Sequence, residues 1–431
     1  MRLTLRLRFS EIWRQPQFRR FWTGESISMV GSSVTDFALP LVAVITLHAS
    51  PGQMGVMRAL GGAPGIFLGL LAGVWVDRVS RQRLLIALDL VAAALIASVP
   101  ISYALGTLSL GHLYLLSIAF GIVGPFMWPA WNAFLPSVVE PHLLFDANSK
   151  MVFSFSASAV GGPGLGGILV QTLGAPWALL FDAGSFVVGS SVLATVKPRP
   201  VERSAAEEPG SLLHRIGDGL RLTFLDPIQR AVVIPRAILD FFDALSTTII
   251  AIYIIRVVGL TPALMGLAFA LSSLGFVAGS VVAPRIERRL GVGGAIVLGL
   301  LLVGASPYTM VIANRSLPDW VNVAFFALPG LIGGFGGVIQ HIGLQAIRQS
   351  ITPERLVGRV YASAGVVSRV MWVIGALLGG LLGEHLGLRA TVAVAAVGYG
   401  IPFLYALSSP LRTASTRVQP ESTGSVSEPE G

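Results

Sequence analysis

The stretch GVWVDRVSRQR, residues 73–83, separates two long apolar runs and decides how the whole chain is interpreted. Gly73 allows a helix to end in a tight turn, and the Asp77 carboxylate can pair with arginines or with a helix terminus at a membrane surface. The arginines Arg78, Arg81 and Arg83 follow in the same loop. The alternative interpretation of this stretch is an ordinary arginine-rich loop at a membrane surface.

Apolar runs like the two beside this loop recur along all 431 residues. Hydrophobic residues make up 53% of the chain and charged residues only 12%, whereas about a quarter of a soluble domain is charged. The mean hydropathy is +0.75. A run of about 20 apolar residues is long enough to cross a bilayer as a helix. Twelve such spans are predicted, near residues 21–48, 52–76, 83–104, 111–137, 150–173, 176–196, 227–257, 260–284, 291–314, 318–347, 356–386 and 387–408.

Lysine and arginine residues in the loops are distributed unevenly between the two ends of these predicted spans. Nearly all of them fall on the side that also holds both termini, and the opposite side has only Arg256, Arg315 and Arg389. Cytoplasmic loops of membrane proteins carry an excess of Lys and Arg, so both termini are predicted to be cytoplasmic. Topology also explains the net charge of +8 better than nucleic-acid binding does, because the basic residues form no continuous patch.

The two halves of the chain are related by an internal repeat. Residues 50–60 resemble residues 260–271, and residues 162–174 resemble residues 375–387. The loop APRIERRLG, residues 283–291, is the counterpart of the first stretch and contains Glu287, Arg288 and Arg289. Each half has an even number of spans, so the repeat is parallel. The predicted division is a cytoplasmic basic segment (1–20), a six-helix bundle (21–196), a cytoplasmic linker (197–226), a second six-helix bundle (227–408) and a disordered cytoplasmic tail (409–431).

The loop of residues 73–83 resembles the loop signature of the major facilitator superfamily. GPGLGG, with Gly162, Pro163, Gly166 and Gly167, is similar to the core of that superfamily's antiporter motif, although helix packing alone would use the same residues. FRRFWTGESISMVGSSVTDFALPL, LPSVVEPHLLFDANS, LLFDAGSF and RLVGRVYAS look like the bacterial branch of enterobactin and macrolide exporters. Ser117 departs from the family pattern, because antiporters often have an arginine at this spacing before the glycine, here Gly121.

The resemblance implies an all-α major facilitator fold and a secondary transporter. We expect proton-coupled efflux of an amphiphilic drug, antibiotic or siderophore by alternating access, in a bacterial inner membrane, by a monomer without cofactor or metal. The alternatives are an importer of the same superfamily and a non-transporting receptor or assembly protein. The sequence contains no cysteine, no phosphate-binding loop and no nucleophile motif, so we expect no enzymatic activity.

Ionisable residues within predicted spans are functional candidates, because a charge in the bilayer is costly. Asp36 lies midway along the first span and is predicted to couple transport to protons or to recognise a cation. Alternatively, it is a structural partner of Arg58. A helical rise of about 1.5 Å per residue places the two residues at depths that differ by about 8 Å, a gap that an arginine side chain could largely bridge.

A second group of candidates lies in the second half. Arg236 and Asp240 share a helical face and are expected to neutralise each other, which leaves Asp243 with Arg369 as its possible partner. His341 either contacts substrate or bonds neighbouring helices. Structural roles are predicted for Asp89 and Asp182. A set of aromatic residues would suit a lipophilic ligand, but Trp and Tyr also collect at membrane interfaces, and this second interpretation is favoured for them: Phe126, Trp128, Trp131, Phe241 and Phe242.

Overall fold

A computed structural model of the protein describes residues 11–76, 79–199, 221, 224–352 and 354–413, and the regular elements in these residues are all helical. In the first half, the described helices are α1 Pro16–Leu41, α2 Pro51–Gly62, α3 Pro64–Val76, α4 Arg81–Ala104, α5 Leu110–Phe134, α6 Leu144–Leu173 and α7 Ala175–Ala194. In the second half, they are α8 Pro227–Ile252, α9 Pro262–Ala305, α10 Tyr308–Ile312, α11 Asp319–Ile351, α12 Glu354–His385, α13 Leu388–Gly398 and α14 Ile401–Ser408.

Ten helical stretches in the described residues are long and apolar enough to cross a membrane. Two features account for the difference between these ten stretches and the twelve predicted spans. First, α2 and α3 form one span that is interrupted before Pro64, and each part is too short to cross alone. Second, α9 contains two spans that join at Gly291, where φ is 70° and ψ is 169°. The helix continues through residues 285–290, where the sequence predicted a loop, and turns only at this glycine because it tolerates a positive φ.

The internal repeat is visible in the helix ends. The Ser50 side chain accepts a hydrogen bond from the third residue of α2, and Thr261 caps α9 in the same way. Each cap precedes a proline, which is favoured at the first helical position. Gly174 and Gly387 have φ angles of 90° and 88° in the turns after α6 and α12. These matching helix ends agree with the predicted parallel repeat of the two halves.

The two halves pack closely at the ends of the spans opposite the termini, here called the far side. Gly55 of α2 lies against Gly380 of α12, and a Cβ atom on Gly55 would be 3.0 Å from the Gly380 Cα. At the repeat-related position, a Cβ atom on Gly167 would be 3.1 Å from the Gly266 Cα. The missing side chains allow two pairs of helix backbones to meet directly.

Hydrogen bonds between the halves also lie on the far side or near the middle of the spans, as far as the described residues show. The Gly52 N–H donates to the Glu384 carboxylate at 2.9 Å, and the Arg256 guanidinium donates to the Val44 carbonyl at 3.0 Å. Near the middle, the Ser273 hydroxyl donates to a carbonyl of α6 at 2.9 Å. The space between the halves is consequently closed on the far side.

The side that holds both ends of the helical bundle, here called the terminal side, has its own polar contacts. Glu140, in the connection between α5 and α6, accepts hydrogen bonds from Gln15 at 3.1 Å and from Arg199 at 3.2 Å. These two donors lower the pKa of the Glu140 carboxyl below its usual value. The contacts tie the start of α1 and the residues after α7 to the same loop.

Candidate functional site

Asp36 lies where three cavities meet. The cavities have volumes of about 290, 220 and 330 Å³, and Asp36 lines each of them. Its side chain is exposed to these cavities although it is deep inside the bundle. We call Asp36 and the side chains that share these cavities with it the central site.

The direction of Asp36 follows from the way α1 packs. The small residues Gly24, Ser28, Gly31 and Thr35 recur every three or four positions, so they form one stripe along the helix. This stripe lies against α7, where a Cβ atom on Gly24 would be 3.3 Å from the carbonyl oxygen of a facing glycine. Asp36 is about 100° round the helix from Thr35 and therefore turns away from α7.

Arg58 is the basic residue of the central site. It lines two of the three cavities with Asp36, but within the described residues no ion pair of 4.0 Å or less joins the two side chains. Its guanidinium instead donates to the Thr247 carbonyl of α8 at 3.4 Å. The charge of Arg58 interacts with the carboxylates of both Asp36 and Asp243, so this arginine connects the acidic groups of the two halves.

The helix α8 holds the central acidic group of the second half. Asp226 starts this helix by accepting two backbone hydrogen bonds at 2.8 Å. Arg236 and Asp240 form the predicted pair, with a shortest N···O distance of 2.6 Å. Asp243 accepts a hydrogen bond from the Tyr399 hydroxyl at 3.1 Å.

Within the described residues, Asp243 is bonded to Tyr399 and makes no contact with Arg369. The predicted pairing of Arg369 with Asp243 was therefore wrong. The Arg369 guanidinium lies against α3, where a Cβ atom on Gly65 would be 3.2 Å from its central carbon. The rotation of α12 decides this contact, because it turns the arginine toward the first half.

Further carboxylates of the first half surround the central site. Glu25 and Asp89 line the 220 Å³ cavity with Asp36, and Asp182 lines the 330 Å³ cavity. Asp182 is fully buried and accepts a hydrogen bond from Ser185 at 3.0 Å. The charges interact in the order Glu25, Asp89, Asp182, Asp36. The other Asp182 oxygen faces Thr35 without a well-formed hydrogen bond.

Sequence reasoning missed Glu25. It precedes Asp36 by eleven residues, which is about three helical turns and places both carboxylates near the same face of α1. That spacing was the available signal. Structural roles were predicted for Asp89 and Asp182. Each of them lines a cavity that Asp36 also lines, so both carboxylates belong to the surroundings of the central site.

The comparisons with known proteins identify the family. Residues 10–430 match the family described as transmembrane secretion effectors. The chain belongs to this family of major facilitator transporters. It is 24% identical to the multidrug efflux pump Tap of Mycolicibacterium fortuitum, over 84% of this chain and 88% of Tap. It is also 24% identical to the enterobactin exporter EntS of Citrobacter koseri, over 91% of each chain.

A solved structure has the same fold. It is a bacterial homologue of the iron transporter ferroportin in an inward-facing state, with a TM-score of 0.70 and 19% identity over 91% of this chain and 98% of that chain. The outward-facing structure, also matched over 91% of this chain and 98% of that chain, has a TM-score of 0.58 at 20% identity. Both likenesses show that this chain has the fold of that transporter.

The glycine-rich motif of this transporter packs α6 against two helices. Gly162 lies against the Ser33 side chain of α1, and a Cβ atom on Gly166 would be 3.1 Å from the Phe37 ring. Gly167 faces α9 on the opposite side, and Pro163 lines the 290 Å³ cavity. The motif therefore packs α6 against α1 of its own half and against α9 of the second half.

The loop motif is described only in part. Asp77 and Arg78 lie outside the described residues. The Arg81 guanidinium donates to the Ala133 carbonyl at 3.0 Å. The remaining residues belong to α3, to the start of α4 or to the terminal-side end of the first span of α9: Gly73, Arg83, Glu287, Arg288 and Arg289.

Aromatic residues also line the central site. Trp128 and Trp131 stack with ring centroids 5.2 Å apart and line the 220 Å³ cavity, where they present flat apolar surfaces beside Glu25. Phe242 packs against Gly398, as a structural residue would. His341 lies outside the central site, in a separate cavity of the second half. Within the described residues, no group of three or more His, Asp or Glu side chains is arranged to hold a metal ion.

Proposed function

We propose that this transporter is a secondary active exporter that couples efflux of an amphiphilic small molecule to proton influx, with Asp36 as the coupling carboxylate. The observation that carries the proposal is the position of Asp36 in all three central cavities, exposed and without a close ion pair among the described residues. A carboxylate in this position is free to bind and release a proton as access changes. An aspartate that is permanently paired with an arginine could not bind and release a proton in this way.

The lining of the cavities supports an amphiphilic substrate. Trp128, Trp131 and Phe155 provide apolar surface next to Asp36 and Glu25. Aromatic faces bind apolar and cationic ligand parts, and a few polar groups fix their orientation. Export is favoured by the names of two relatives, a multidrug efflux pump and an enterobactin exporter.

The orientation and partners belong to the same proposal. The terminal side is cytoplasmic, because it holds most of the Lys and Arg residues, and the membrane is the bacterial inner membrane. The protein acts as a monomer in the bilayer, and its partners are the transported molecule and protons. In this orientation the far side, where the halves are in contact, would be the outer side, and an exporter would collect its substrate from the opposite, cytoplasmic side.

The experiment measures accumulation of labelled drugs and siderophores in bacterial cells that lack their own exporters. Cells with the wild-type protein should accumulate less of at least one compound, and a protonophore should remove this difference. Asp36→Asn should abolish the protonophore-sensitive part, because the amide cannot exchange a proton. Asp319→Asn makes the same chemical change at an exposed position outside the central cavities and should leave export intact.

Three results would contradict parts of the proposal. Equal export by wild type and Asp36→Asn would exclude the coupling role of this carboxylate. Increased accumulation with the wild-type protein would identify an importer. No effect with any compound, despite normal amounts of protein in the membrane, would favour a receptor or assembly protein.

A further inference from the structure

A fourth cavity, with a volume of about 230 Å³, lies in the second half between α8, α11 and α12. It shares no lining residue with the three cavities at Asp36. We call it the basic cavity because its polar lining consists of hydrogen-bond donors and cationic groups. These polar lining residues are Arg236, His341, Gln345, Arg348, Tyr361 and Ser368.

Arg348 is the least compensated charge in the basic cavity. Its guanidinium lies over the Tyr361 ring, 5.0 Å from the ring centroid. Within the described residues, its buried Nε has no hydrogen-bond partner and no carboxylate lies at ion-pair distance from Arg348. A buried donor without a partner is costly, and an acceptor from a ligand would satisfy it.

The other side chains reinforce this donor character. Arg236 is paired with Asp240. The charges of Arg236 and Arg348 both act on His341, and among the described carboxylates only that of Asp240 opposes them there. The Gln345 carbonyl oxygen accepts from the Tyr361 hydroxyl at 2.8 Å. The amide nitrogen of Gln345 is therefore left to donate. Among the described side chains, two arginines against one carboxylate give the cavity a net positive charge.

We propose that the basic cavity binds an anionic group of the transported molecule, such as a carboxylate, with Arg348 as its main contact. A guanidinium suits this role because its planar donors match the two oxygens of a carboxylate. The proposal rests on the transport function proposed above and deepens it by naming the substrate class, an amphiphile with a negative charge. Protons and the substrate anion would then be bound in opposite halves, on Asp36 and on Arg348, so that they do not neutralise each other.

The test measures equilibrium binding of two fluorescent probes, dansylglycine and its neutral analogue dansylglycinamide. The full chain is placed in nanodiscs of phosphatidylcholine, without a proton gradient. The wild-type protein should bind the acid at least about tenfold more tightly than the amide, which is the effect of one charge-assisted hydrogen bond. Arg348→Gln should bind both probes equally.

Arg285→Gln is the matched control, because Arg285 is an exposed arginine of α9 outside the basic cavity. This variant should keep the preference for the acid. A thermal unfolding temperature close to that of the wild type would show that Arg348→Gln is folded. Equal binding of acid and amide by the wild type would overturn the proposal, and so would a preference that persists in Arg348→Gln.

A lipid headgroup is the other possible source of the anion. The titration is therefore repeated in nanodiscs that contain phosphatidylglycerol. Unchanged affinity for dansylglycine supports a solute site, whereas competition by this lipid that disappears in Arg348→Gln would assign the cavity to a headgroup and overturn the proposal. Because no gradient is used, failure of proton coupling at Asp36 leaves this test intact, and failure of this test leaves the export assay intact.

Discussion

Gly55 and Gly380 bring the backbones of α2 and α12 into direct contact on the far side of the bundle. A Cβ atom on Gly380 would lie 2.8 Å from the Gly55 Cα and 2.7 Å from the Pro51 carbonyl oxygen. Gly266 and Gly167 form the repeat-related contact. The closed far side thus depends on two glycine pairs, and the repeat explains why there are two.

A side chain at Gly380 should open the far side. Overpacking costs about 1–3 kcal/mol, which changes a conformational ratio by roughly 5- to 150-fold, so Gly380→Val should favour the outward-open state. Spin labels at Leu105→Cys and Leu386→Cys, two exposed far-side positions, report the distance by pulsed electron paramagnetic resonance. The chain has no native cysteine, so these labels are specific.

Gly69→Val is the control for this substitution. Gly69 lies in α3, and a Cβ atom there would contact nothing within 4 Å. The control should keep the wild-type distance distribution. A longer distance in both valine variants, or in neither, would show that the glycine contact does not determine closure.

Removal of the Arg58 charge should destabilise the transporter through Asp36 and Asp243. Arg58→Gln leaves both carboxylates without the guanidinium that interacts with them, so a lower thermal unfolding temperature is expected. Adding Asp243→Asn should recover part of the loss, with a coupling of at least about 0.5 kcal/mol in a double-mutant cycle. Strictly additive effects would show that Arg58 does not connect the two halves energetically.

A substitution at Gly31 should disturb the contact between α1 and α7. A Cβ atom there would collide with the side chains of Ser185 and Asp182. Gly31→Val should lower the stability by about 1–3 kcal/mol, measured by thermal unfolding in detergent. Gly31→Ala should cost less, and Ser185→Ala in the same chain should relieve part of that cost. A Gly31→Val variant as stable as the wild type would contradict the described packing of α1 on α7.

Loss of the Glu25 carboxylate should slow proton-driven export. Glu25 shares the 220 Å³ cavity with Asp36, and its charge is connected to Asp36 through Asp89 and Asp182. Glu25→Gln should reduce the protonophore-sensitive part of export, whereas Glu11→Gln, on the exposed terminal side, should not. Unchanged export by Glu25→Gln would show that this carboxylate takes no part in proton coupling.

The sequence predicted the all-helical membrane fold and its parallel repeat because both depend on local properties of the chain, such as the length and spacing of apolar runs. An apolar run of sufficient length must cross the bilayer as a helix, since its backbone groups have no water to bond. The repeat-related caps Ser50 and Thr261 are local in the same sense. The pair of Arg236 and Asp240 was predictable because one helix fixes the spacing of its two members.

Only the tertiary structure decided which distant side chains meet. It placed Glu25 in a cavity with Asp36, brought the Tyr399 hydroxyl and not Arg369 to Asp243, and left Arg348 with an unpaired donor. Each of these results depends on the rotation and lateral packing of helices far apart in the chain. Hydropathy does not encode that rotation, because lipid and a neighbouring helix are almost equally apolar.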